Sequence, residues 1–259
     1  MEFTTNRRGA LATLGAGLVM SGLAQAAPGA PDLALEPTGA KNLREFSRRL
    51  AAIPRRRDFK TVPMILDKPD LWDAAALDAV MAYKGGPRQV WDHTDLTGSW
   101  LNGMRNTVNT QVFAFKEPNF LCVSGTHGAA HLALYDQASW DKYQLAKIAG
   151  GNIASNTFIV VPPAASHDPA DFQSPDGAFS PKGNNVTVLQ RRGVVFLACH
   201  NAIWELADRL IKADQNPDHL SVEALAAELS NRLIPDAVLT PGVVPTMVRL
   251  EIAGFVYTR

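Results

Sequence analysis

Residues Gly193 to Ile211, GVVFLACHNAIWELADRLI, constrain the fold more than any other stretch, because a buried strand runs straight into an amphipathic helix. Val194 to Ala198 is an unbroken apolar run, the pattern of a parallel strand covered on both faces, and Gly193 marks the turn before it. Ile203, Trp204, Leu206, Ala207, Leu210 and Ile211 then recur at helical spacing, with Asn201 placed to cap the helix. Cys199 falls at the junction. In open α/β sheets, ligands gather at the carboxyl ends of strands. A thiol there, at a helix N-terminus and beside His200, is expected to have its pKa lowered toward the reactive thiolate.

The same rhythm recurs along the chain. Gln89 to Trp91, Phe120 to Val123, Ala237 to Leu239 and Phe255 to Tyr257 read as further strands. Helical stripes run from Leu101 to Phe115, Ser139 to Ala149, Val186 to Arg192, Val243 to Ala253, and from the Ser221 cap through Leu225, Leu229 and Leu233. Alternation of this kind predicts an α/β fold: an open, mostly parallel sheet with helices on both faces. Right-handed crossovers would gather the segments after the strands on one edge, bringing 91–95, 125–131 and 199–201 together. Residues 162–185 hold five prolines and two glycines and form a candidate lid over that edge.

The amino-terminal part reads differently. Residues 1–26 carry Arg7-Arg8, a charge-free stretch and Ala24-Gln25-Ala26, the pattern of a twin-arginine (Tat-like) export signal, with Asn6 where Ser or Thr is usual. Export to the periplasm or outside, with no stable membrane anchor after cleavage, is the expectation. Residues 27–86 read as a linker and N-terminal helical extension, with a helix at Leu43, Phe46, Leu50 and Ile53 and another from Leu71 to Tyr83; residues 87–259 form the α/β domain. The chain has 25 basic and 25 acidic residues, so no global charge recruits nucleic acid or anionic lipid.

Only two cysteines are present, which excludes a disulfide scaffold. Cys122, mid-strand, reads as buried; Cys199 reads either as a reactive thiol or as a small buried hydrophobe, and a Cys122–Cys199 disulfide is a further option in an oxidising compartment. His127 and His131 are four apart and would share a helix face, and His93 could join them as a metal site, although no HExxH glutamate follows His127. His127 also reads as a proton acceptor beside Cys199. No phosphate-cradling glycine loop or nucleophile elbow is present, and no cofactor is expected.

Three segments, VVFLACHNAI, FLCVSGTHGAAHLAL and LIPDAVLTPGVVPTMVRLEIAGFVYTR, resemble the DsrE/DsrF-like family over residues 87–259, and DQASWDKYQLAKI is similar to exported, uncharacterised members. The resemblance implies a small α/β sheet, assembly into homo-oligomers, and sulfur-relay chemistry. It would place the sulfane-sulfur acceptor at Cys199, with His200, Asn201 and His127 around it. The partner would be a sulfur-donor or acceptor protein or a small thiol. A ligand- or metal-binding module and an oligomeric structural subunit are the alternatives the residues leave open.

Overall fold

The computed structural model describes residues 35–163 and 168–259; the export-signal segment and His167 lie outside the described residues. Five parallel strands, β1 (Arg88–His93), β2 (Leu121–Thr126), β3 (Val195–Cys199), β4 (Val238–Thr240) and β5 (Val256–Thr258), form one sheet in the order β4-β3-β2-β1-β5. Nine α-helices are described: α1 (Lys41–Ala52), α2 (Ala74–Met81), α3 (Trp100–Asn109), α4 (Gln137–Lys142), α5 (Ala146–Ala149), α6 (Val186–Arg191), α7 (His200–Lys212), α8 (Val222–Asn231) and α9 (Val243–Ile252). An α/β fold with a parallel sheet and helices on both faces is what the alternating pattern predicts.

Because side chains alternate along a strand, the strands β1 to β4 supply two cores, one on each face. Cys122, Phe196, Ala198 and Leu239 pack on one face with α3, α6, α7, α8 and the 3-10 segment Gly128–Leu134. Val90, Leu121, Val123, Val195, Leu197 and Cys199 pack on the other with α1, α2 and α9. Residues 35–86, which the sequence sets apart as an extension, therefore form a layer of the same core.

That layer is locked to the sheet edge. Asp73 donates its backbone N–H to the Leu239 carbonyl, 3.0 Å away, and its carboxylate accepts from the Leu239 N–H at 2.7 Å. Arg57 closes the same carboxylate at 2.9 Å and also reaches the Ala237 carbonyl. An exposed strand edge is a template for unwanted pairing, and here β4 is capped by one aspartate and one arginine.

Three local expectations change. The helix over 139–149 is two, α4 and α5, broken where Gln144 takes φ 49°. Asn201 caps nothing: Cys199 is the N-cap residue of α7 and no side chain supplies the cap. The described part of the 162–185 loop does not cover the strand ends; it lies against α3, with Phe172 stacked on Phe113 at 4.4 Å and the Phe179 carbonyl bound by Arg105 and Asn109.

Candidate functional site at the carboxyl edge

Four side chains line up across four neighbouring strands on one face of the sheet. Thr126 pairs in register with Ala198, and His127 follows it, still extended (φ −148°, ψ −171°) and donating its N–H to the His93 carbonyl, one strand over from Cys199. Asp92 follows on β1 and Tyr257 on β5, whose register partner is Val90. The order across the edge is thiol, imidazole, carboxylate, phenol.

Three of the four are directly bonded. His127 Nε2 lies 2.7 Å from Asp92 Oδ1, and the Tyr257 hydroxyl donates to Asp92 Oδ2 at 2.8 Å. Burial acts to raise the Asp92 pKa, yet the hydrogen bonds from His127 and Tyr257 outweigh it and hold the carboxyl below its ordinary range. An ionised carboxylate only accepts, so Nε2 carries the proton in this bond. Accepting from Tyr257 in turn raises the phenol.

Cys199 sits where two helices begin. The N–H of Val243, the first residue of α9, donates to Sγ at 3.3 Å, and the N–H groups of Asn201 and Ala202, in the first turn of α7, act to lower the thiol's pKa. These donors favour a thiolate. Burial is the larger effect: only 4% of the residue is exposed, and the thiol is pushed up rather than down. The lowered pKa expected from the sequence is therefore absent.

The other sequence-derived candidates fall elsewhere. His200 does not face the thiol; its Nε2 bonds the Pro63 carbonyl at 2.9 Å and ties the start of α7 to the 63–64 segment, while burial lowers its pKa. His93 points to the opposite sheet face, where Nδ1 meets Ser124 Oγ at 2.8 Å and the ring stacks on Trp91, with burial bringing its pKa down to about 4. His131 is 1% exposed with neither ring nitrogen bonded, its pKa brought down by burial to about 3. His127 is the extended residue before the 3-10 segment, so it shares no helix face with His131. Among the described residues no three His, Cys, Asp or Glu side chains form a group that could hold a metal ion, and the His93, His127 and His131 centre is not assembled. Cys122 and Cys199 are both free thiols, Cys122 buried on the other face with its pKa raised to about 12 by burial, so the disulfide option falls.

Asp92 and Tyr257 are the site residues that sequence reasoning missed. Each sits in a short strand in phase with the Cys199 face, but only the strand order makes them neighbours. Compared with protein-family models, curated proteins and solved structures, the chain matches none.

Proposed function

We propose that this chain is an exported DsrE/DsrF-like protein that carries sulfane sulfur on Cys199, with His127 and Asp92 handling the proton. The observation that carries the reading is Cys199 at the carboxyl edge, one strand from the bonded His127–Asp92 pair, with the Val243 N–H donated to Sγ. Burial keeps the resting thiol protonated, so reaction requires the packing around Cys199 to open and let a donor in. His127 Nδ1 then takes the thiol proton, and the amides at the two helix starts hold the thiolate. The thiolate attacks the outer sulfur of a donor persulfide, R–S–SH; the Sγ–S bond forms as the R–S bond to that sulfur breaks. R–S⁻ leaves and takes the proton from His127, so Cys199 ends as a persulfide and the donor as a thiol, with no net oxidation. Donor and acceptor are a partner protein or a small thiol, and the resemblance adds assembly with further copies of the chain.

The test is intact mass after exposure to a small-molecule persulfide. The wild-type protein gains one sulfur atom, Cys199→Ser gains none, Cys122→Ala behaves as wild type, and His127→Asn gains it more slowly with an altered pH profile. A wild-type mass that does not change, or a Cys199→Ser protein that gains sulfur as readily, refutes the proposal.

A further inference from the structure

At the other edge of the sheet, on the other face, two arginines are buried without an acid. Arg105 on α3 is 6% exposed and Arg192, just past α6, is 3% exposed. Arg105 donates only to neutral oxygens: Nε to Asn184 Oδ1 at 2.7 Å, Nη1 to the Phe179 carbonyl at 2.8 Å and Nη2 to Asn102 Oδ1 at 2.8 Å. Arg192 donates through Nη2 to Asn109 Oδ1 at 2.7 Å and lies 4.7 Å over the Phe179 ring, while its Nη1 is buried with no partner. Among the described residues, no carboxylate bonds to either guanidinium. Burial, and then repulsion by Arg105, bring the Arg192 pKa down to about 9.

Ions of this kind are costly to bury unless paired, and two like charges in one place compound the cost. Guanidinium forks match the oxygens of a phosphate or carboxylate in two-point contacts. Here neutral oxygens of Phe179 and Asn184 occupy the Arg105 fork, and both belong to the 168–184 segment folded over α3. That segment is held by the Phe172 ring stacked on Phe113, Phe179 edge-on to the same ring, the Phe179 carbonyl shared between Arg105 and Asn109, the Asn184 amide on Arg105 and Asn102, and Ala178 packed with Leu35 and Val188.

We propose that Arg105 and Arg192 form an internal site for a small dianion of the phosphate, sulfate or dicarboxylate class, closed by residues 168–184. The charge argues for a dianion: two guanidiniums call for two negative charges. The orphaned Arg192 Nη1 is the donor such a ligand would satisfy, and the Asn184 and Phe179 oxygens are the groups it would displace from Arg105. The site is independent of the thiol reading, lying at the opposite end of the strands.

The experiment uses the full chain in chloride buffer at fixed ionic strength, with inorganic phosphate measured by equilibrium dialysis and by thermal unfolding; sulfate and malonate are parallel arms that rank the class. One saturable site is expected, with the unfolding temperature rising by roughly 5 to 10 °C at ~100 times Kd. Arg192→Gln and Arg105→Gln each bind at least ~10-fold more weakly, the loss of one charge-assisted contact, while Cys199→Ser binds as wild type. Near-ultraviolet circular dichroism confirms that each variant is folded. The proposal is overturned if wild type shows no saturable binding of phosphate, sulfate or malonate, if stabilisation follows ionic strength alone, or if both arginine variants bind undiminished.

Discussion

His93 and His131 are neutral because burial removes the water that would solvate the imidazolium, and that has a measurable consequence for folding. Their folded pKa values, about 4 and about 3, lie below the ~6.5 of an unfolded histidine. Below pH ~6.5 the unfolded chain binds protons that the folded one refuses, so the stability they contribute is full above that pH and drains as pH falls toward 4 and then 3. Each contributes a slope of at most ~1.4 kcal/mol per pH unit. Denaturant titrations between pH 6.5 and 5, above most carboxylate titration, should show the loss, and His131→Phe should flatten it; a flat wild-type profile would refute the assignment. Cys199 gives the counterpart lesson in legibility. Its place after the central apolar run is readable from the sequence, and so is its position at a helix start. The sign of its pKa shift is not, because it depends on burial in a core cluster drawn from the strands, α1, α2 and α9.

At the scale of elements, all five strands and the helices that bury one stripe are visible in the apolar pattern, and the Ser221 cap that accepts from the Ala224 N–H is visible as a residue type. The break between α4 and α5 is not. Tyr143 and Leu145 are both fully buried, and satisfying both sends Gln144 into the left-handed region. The carbonyls of Tyr143 and Gln144 are then caught by Gln215 Nε2 at 2.7 and 3.1 Å, from beyond the end of α7. A long-range acceptor pair of that sort leaves no periodic trace. Gln215→Ala would strand two carbonyls, one fully buried, and should destabilise by about 1 to 3 kcal/mol. Urea unfolding monitored by tryptophan fluorescence measures it; a loss within a few tenths would mean that water replaces the amide freely.

For the whole molecule the question is whether the α1–α2 layer is an addition or a wall. Its composition reads as an extension, with basic residues Arg55, Arg56 and Arg57 suggesting a solvated face, yet Arg57 is bound to buried Asp73 and Arg55 lies 3.9 Å from the same carboxylate. Strand order and layer assignment are long-range facts, set by which apolar faces find each other, so the local pattern carried neither. Val90, Leu121, Val195 and Leu197 have Leu43, Phe46, Leu77 and Val80 in their shared core cluster, so that sheet face is covered in part by residues before Pro87. Asp73→Ala removes the acceptor of Arg57 and of the Leu239 N–H together, leaving a half-buried cation and an edge donor unpaired. Breaking a buried pair from one side costs about 3 to 5 kcal/mol. If the layer is a wall, that loss appears as one cooperative transition at lower urea with unchanged steepness, whether followed by circular dichroism or by tryptophan fluorescence. If it is an addition, the layer detaches first and the single transition splits into two.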